Sequence, residues 1–249
     1  MKKIYIDPGH GGVNPGATYG KSKESEDVYK LAADVAARLG EIADLQVKVS
    51  RTNYADPRLT ERCAAANAWG ADYFISIHRN AFKPNGASGV EAWIYSKAAK
   101  GGDAWTKAAR FTDGLSAVMG IGNRGVHLGA PSYTDYAVNN YTHMTSCLLE
   151  VGFVDSDKDN AAFDTHYKEM VEVIAENLCK AVGVKYLKAG DVNGDGKVDI
   201  DDARAVLRAA VGLEKLDEQQ KKAADVNGDG KITVDDARDI LRTATGLNS

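Results

Sequence analysis

The chain has 249 residues, 44% of them hydrophobic and 27% charged, with 25 glycines and 5 prolines. That leaves room for one good-sized domain and a smaller one, and it excludes disordered and fibrous classes. The net charge of -4 sits in the tail: residues 191–249 hold 13 acidic and 9 basic side chains, whereas the 22 acidic and 22 basic side chains before them balance. No basic excess suits nucleic acid, and the acidic tail suits cations.

Lys3–Asp7 predicts the first strand, running into Pro8-Gly9-His10-Gly11-Gly12. It begins two residues after Met1, so no signal peptide is expected ahead of it. No run approaches the ~18 apolar residues needed to span a bilayer. Residues 24–40 predict a helix with Val28, Leu31, Ala32, Val35 and Leu39 on one face. A strand at Gln46–Ser50, a helix at 58–69, a strand at Tyr73–His78 and a strand at Val90–Tyr95 follow. A helix at 102–119, a strand at Ser146–Val151 and a helix at 165–183 complete this part. The alternation predicts a three-layer α/β fold, a mostly parallel sheet with flanking helices. Cys63, Cys147 and Cys179 form no CxxC pair and read as buried free thiols. Val184–Gly190 is a short connector, which divides the chain into domains at 1–184 and 190–249.

Polar residues at the carboxyl ends of parallel strands converge on one crevice. His10, His78 and Glu150 all stand at predicted strand ends. A catalytic zinc takes three protein ligands, commonly two His and one Glu, and keeps a position open. The third ligand is Glu24 or Glu26. Glu24, four residues before Val28, continues the buried helix face and is preferred; Glu26 points away and is the fallback. Gly16–Ser22 imitates a phosphate loop, but Pro15 stands where its first glycine is needed. Trp69, Trp93 and Trp105 lie in helix or strand patterns, which favours core packing or a lone surface contact over a sugar platform.

Several motifs appear in one order. They are Asp7-Pro8-Gly9-His10-Gly11-Gly12, Asn14-Pro15-Gly16-Ala17, Ser50-Arg51-Thr52, and Arg62 with Ala66-Asn67. Ser76-Ile77-His78-Arg79-Asn80-Ala81 and Glu150-Val151-Gly152-Phe153 complete the series. Together they resemble the zinc-dependent N-acetylmuramoyl-L-alanine amidases of the AmiC/CwlV type (amidase_3 family), over residues 3–183. The resemblance implies one catalytic Zn2+ on His10, Glu24 and His78, with Glu150 as acid and base. It implies peptidoglycan as substrate, cut between the lactyl group of N-acetylmuramic acid and the L-alanine of the stem peptide. It further implies action on the cell wall, as a secreted autolysin or as a phage endolysin released at lysis. Arg79 stands where a small residue is usual, and Asp155-Ser156 replaces a small-Asn ending. The same ligands would serve a zinc peptidase or deacetylase on cell-wall material, and an inert site would leave a wall-binding or docking protein.

The tail repeats itself at an offset of 34, with 16 identities between the 23-residue windows starting at Asp191 and Asp225. Each copy fits an oxygen-rich calcium loop. Asp191, Asn193, Asp195, Lys197 (through its carbonyl), Asp199 and Asp202 form the first site. Asp225, Asn227, Asp229, Lys231 (carbonyl), Thr233 and Asp236 form the second, which has one carboxylate fewer. Two Ca2+ ions are therefore expected. Only the following helix of each loop is predicted, at 201–211 and 235–245, giving a small all-α domain. Paired loop-helix units of this kind resemble a type I dockerin, which implies a cohesin-like partner; self-association is the alternative. By that resemblance the partner-contacting positions are Ile200, Asp201 and Arg208, with Val234, Asp235 and Arg242.

Overall fold

Short runs rich in isoleucine, valine and aromatics build the sheet that organises the first part of the chain. The computed structural model describes residues 1–42, 44–129 and 136–247. Two compact units divide it, Met1–Val184 and Lys185–Ser249. In chain order the first unit opens with β1 (Lys2–Pro8), β2 (Thr18–Tyr19), β3 (Ser22–Lys23), α1 (Glu24–Gly40), β4 (Leu45–Val49), α2 (Leu59–Trp69) and β5 (Tyr73–Asn80). It continues with β6 (Val90–Ile94), α3 (Asp103–Met119), β7 (Asn123–Leu128), α4 (Ala137–Asn140), β8 (Thr145–Phe153), α5 (Asp157–Thr165) and α6 (Tyr167–Val182).

The main sheet has the order β4-β1-β5-β8-β6-β7. Every neighbouring pair is parallel except β6 with β8. Tyr5, Phe74 and Leu148 point to one face, where Cys63 and Ala66 of α2 and Val138 of α4 cover them. Helices α1, α3 and α6 pack over the opposite face. This is the expected three-layer α/β architecture. Tyr73, Phe111 and Leu115 are fully buried. Each such side chain contributes about 1.5–3 kcal/mol by leaving water. The three cysteines are free and buried, as expected.

Three differences from the sequence expectation have local causes. β7 was not expected, because Asn123-Arg124-Gly125 opens it without apolar alternation and only Val126 is buried. The expected helix at 165–183 is α6, which starts two residues later at Tyr167, and the helix before it, α5 ending at Thr165, was not expected. Helix α5 itself is polar and starts on a side-chain cap, Ser156 Oγ accepting from the Asp159 amide.

The second unit holds α7 (Ile200–Ala210), α8 (Glu218–Ala224) and α9 (Val234–Ala244). Its small core is built from Leu187, Val192, Val206, Leu216, Ala224 and Ile240. Helices α7 and α9 begin on capping boxes centred on Asp199 and Thr233. The intervening α8 was not expected: Glu218-Gln-Gln-Lys-Lys shows no apolar stripe, and Asp217 caps it. Among the described residues no helix is long and apolar enough to cross a membrane.

Candidate metal centre and active-site cleft

The loop after β1 carries the first histidine in a conformation that needs outside support. His10 has φ 57, in the left-handed region. For a non-glycine residue this costs of order 1–3 kcal/mol, so the surroundings must over-determine it. Two buried arginines do so. Arg51 donates to the carbonyls of Pro8 (3.0 Å), Gly9 (2.8 Å) and Ser25 (2.9 Å). Arg62 donates to the carbonyls of Pro8 (2.8 Å) and His10 (2.6 Å), and pairs with buried Asp7 at 2.9 Å. Asp7 in turn accepts from Ser50 Oγ and Ser76 Oγ, which ties the loop to β5 and to the residue just after β4. Glycine is required at two places beside the histidines. A Cβ on Gly9 would lie 2.2 Å from the His78 ring, and one on Gly16 would lie 2.5 Å from Glu24 Oε2.

Glu24, the first residue of α1, lies between the two histidines. Its Oε1 is 3.1 Å from His10 Nε2 and 2.9 Å from His78 Nδ1. The imidazole rings are 5.0 Å apart in a T-shaped arrangement. One nitrogen from each ring and a Glu24 oxygen all lie within 4.8 Å of one another, as a metal-binding trio would. Glu24 Oε2 accepts from the Ala17 amide at 2.9 Å, and His10 Nδ1 meets Asn14 Oδ1 at 3.3 Å. A proton held on Nδ1 by Asn14 leaves the Nε2 lone pair directed at the trio, the usual way a second partner orients a ligand histidine. Burial alone would raise the Glu24 carboxyl, but the hydrogen bonds and charges of His10 and His78 hold it well below the usual range. His10 is raised, chiefly by its hydrogen bond to Glu24. An anionic oxygen flanked by two imidazole nitrogens is a donor set that suits a zinc-like cation. Glu26 is not part of this trio: its side chain is 60% exposed and paired with Lys23 at 2.8 Å.

Glu150 stands on β8 directly beside His78 of β5 in the strand register. It is buried, and its Oε2 has no hydrogen-bond partner among the described residues. Burial pushes its carboxyl well above the usual carboxylate range, with the charges of Glu24 and Glu91 adding to the rise. Cleft and trio coincide: a cavity of about 520 Å3 is lined by His10, Glu24, His78, Asn80, Tyr136 and Glu150 among others.

In the second unit both duplicated loops wind around their first carboxylate. Asp191 accepts from the amides of Gly194, Asp195 and Gly196, and Asp225 from those of Gly228, Asp229 and Gly230. Asn193, Asp195 and Asp199 each accept from the amide two residues on, at 2.8–2.9 Å. Asn227, Asp229 and Thr233 do so in the second copy, at 2.8–3.2 Å. Asp202 and Asp236 are fully buried and accept amides that fold the loop back on itself. The side-chain donors gathered at both loops are all oxygen, the set a hard cation prefers. Ile200 and Val234 are 65% and 56% exposed, and Asp201, Arg208, Asp235 and Arg242 are exposed beside them.

Residues 4–183 match the sequence profile of the N-acetylmuramoyl-L-alanine amidases. The chain belongs to that family. Residues 189–242 match the dockerin type I domain. The chain is 32% identical over 195 residues to the N-acetylmuramoyl-L-alanine amidase CwlM of Bacillus licheniformis, covering 78% of itself and 67% of that relative. It is 29% identical over 192 residues to the endolysin of Bacillus phage SPP1, covering 76% of itself and 69% of that relative. Among solved structures, the catalytic domain of the amidase CwlV from Bacillus (Paenibacillus) polymyxa var. colistinus superimposes with a TM-score of 0.66 at 26% identity. That match covers 74% of this chain and all of the CwlV domain, 100%.

Around the amidase cleft stand further residues, of which Glu91 was not singled out by the sequence. Glu91 of β6 is buried opposite Glu150 in the antiparallel register. It accepts from Asn80 Nδ2 (2.9 Å), Trp93 Nε1 (3.1 Å) and Arg124 Nε (2.5 Å). The available signal was a lone carboxylate in the otherwise apolar strand Val90–Ile94. Trp93 is half-buried against the core, as expected, but also stacks on His127 at 4.7 Å. Arg79, the departure from the family pattern, is a buried clamp. It pairs with Asp27 of α1 at 2.5 Å, donates to Asn160 of α5 at 2.6 Å, and lies over the Phe163 ring. The Asp155-Ser156 departure also has a local use, since Asp155 accepts the Phe82 amide and Ser156 caps α5.

Proposed function

We propose that residues 1–184 hydrolyse the amide between the lactyl group of N-acetylmuramic acid and the L-alanine of the peptidoglycan stem peptide, using one zinc ion. One observation carries this reading: Glu24 bridges His10 and His78 in a cleft whose wall also holds the buried, unpaired Glu150. His10, Glu24 and His78 would hold the ion. When bound there it supplies Lewis acidity, polarising the scissile carbonyl and bringing the pKa of water to around 7.

The chain's own residues do the rest. Arg51 and Arg62 hold His10 in its left-handed conformation, so the ligand is placed before substrate arrives. Glu150 takes the proton of the attacking water and returns it to the departing alanine nitrogen, a transfer worth typically 10²–10⁴-fold. Its raised pKa suits the return step, and a neighbouring cation would favour the anionic form needed for the first.

Residues 190–249 bind two calcium ions on the duplicated loops and dock to a cohesin-type partner. The exposed pair Ile200 and Val234, repeated by the duplication, supports docking over self-burial. The relatives include a bacterial amidase and a phage endolysin, so action on the wall after secretion or after release at lysis fits both.

Digestion of purified peptidoglycan tests the chemistry. The expected products are glycan strands of unchanged length and new N-terminal alanine, with the rate falling at least 10²-fold in Glu150→Gln. Free amino sugars, or cleavage inside the peptide with no N-terminal alanine, would replace the amidase with a deacetylase or a peptidase.

A further inference from the structure

Beside the cleft lies a second hollow of about 340 Å3, lined by Asn80, Ala81, Phe82, Gly86, Arg124 and Phe153 among others. Asn80 and Ala81 line both spaces, so the hollow continues the cleft past the end of β5. Its chemistry is mixed: Phe82 is 68% exposed, and Arg124 is the hollow's cation.

Arg124 is held in a way that leaves its outer edge available. Its Nε donates to Glu91 Oε2, and its guanidinium lies 5.1 Å over the Phe153 ring. Glu91 is saturated from inside by Asn80, Trp93 and Arg124. The two terminal nitrogens of Arg124 have no hydrogen-bond partner among the described residues, while the side chain is 42% exposed. A guanidinium pinned by Nε and stacked on a ring presents a pre-set fork to a carboxylate. The other cations near the cleft differ. Arg58 has its Nε and one terminal nitrogen on Glu61 Oε1, and Arg62 and Arg79 are buried in their own networks.

Resting on the amidase reading, we propose that this hollow is a substrate subsite, in which Arg124 binds the free carboxylate of the stem-peptide residue that follows alanine. The two arms of the substrate decide the assignment. The glycan arm is uncharged once its lactyl carboxyl is tied up in the amide, whereas the peptide arm carries carboxylates. One residue of peptide spans about 3.3–3.6 Å, so the first carboxylate beyond alanine falls next to the reacting bond, where the hollow joins the cleft. Glu91 then has two duties: it anchors Arg124, and it orients Asn80 at the junction.

Two synthetic muramyl peptides test this, one with a free α-carboxylate on the residue after alanine and one with a carboxamide there. The readout is the ratio of their kcat/KM values, measured by release of N-terminal alanine. The expected ratio for the unaltered protein is roughly tenfold in favour of the carboxylate, the size of one charge-assisted contact, and it lies in KM. In Arg124→Gln the ratio falls to near one; in Arg124→Lys, which keeps charge without the fork, it lies between. A ratio near one in the unaltered protein overturns the proposal. So does a ratio that survives Arg124→Gln while both rates fall together, which would make Arg124 a structural support. Failure to release alanine from either peptide overturns the amidase reading instead, and the two failures are distinct.

Discussion

The two units hold their metal-seeking groups by opposite means. In Met1–Val184 the trio is fixed by elements packed on a large core: His78 sits in β5, Glu24 opens α1, and two buried arginines grip the His10 loop. The geometry is set by packing, and an ion would add chemistry to it. In Lys185–Ser249 the core is a handful of small and medium side chains around Val206 and Ile240, and the carboxylates are held by amides of their own loops. A unit of this size buries only ~60% of its chain's surface, which leaves its stability marginal and open to a contribution from ion binding.

Selective chelation gives the largest expected contrast. A calcium chelator should melt α7–α9, seen as lost helical signal and proteolysis confined to residues after 184, while amidase turnover persists. A zinc chelator should abolish turnover and leave the tail protected. If either reagent produced both effects, the contrast between the units would be wrong. A core truncation in each unit sharpens it at the next scale. Leu115→Ala and Ile240→Ala, both at fully buried positions, should each cost about 2–5 kcal/mol. Leu115→Ala should only lower the Tm of the first unit, whereas Ile240→Ala should leave the tail unfolded at 37 °C even with calcium. Calorimetry with two separable transitions would show it, and a folded Ile240→Ala tail would mean its core carries more than described.

The smallest effect concerns pH. Burial raises the Glu150 carboxyl above its ordinary 4.5, so the folded, metal-free protein holds that proton more tightly than the unfolded chain. The resulting stability is complete below 4.5 and is lost as pH climbs through the raised value. Glu150→Gln has no charge to bury. Its chelated form should therefore melt above the chelated parent at pH 8 and alongside it at pH 4. Coincident melting curves at every pH would contradict a buried, unpaired carboxyl.

Much of the amidase site was legible in the sequence because its signals are local. His10, His78 and Glu150 follow apolar strand patterns, and Glu24 lies on the apolar face of a helix with clear periodicity. Even the choice between Glu24 and Glu26 rested on helix phase, and the geometry brings only Glu24 to the histidines. The calcium loops were legible for the same reason, since their oxygens come from one short segment each. Helices α5 and α8 escaped, because capping and tertiary contact hold them where no apolar stripe announces them.

Strand direction was the property the sequence could not supply. The sequence by itself determined the core strands, the helix faces, the strand-end His10, His78 and Glu150, and the duplicated loops. Only the tertiary structure decided that β6 runs antiparallel to β8, so that the first residues of β6 and β7 arrive at the rim where β1, β5 and β8 end. That reversal sets Glu91 opposite Glu150 and brings Arg124 to the hollow beside the cleft. The physical reason is that periodicity encodes which face of an element is buried, whereas orientation and register come from pairing between segments far apart in the chain.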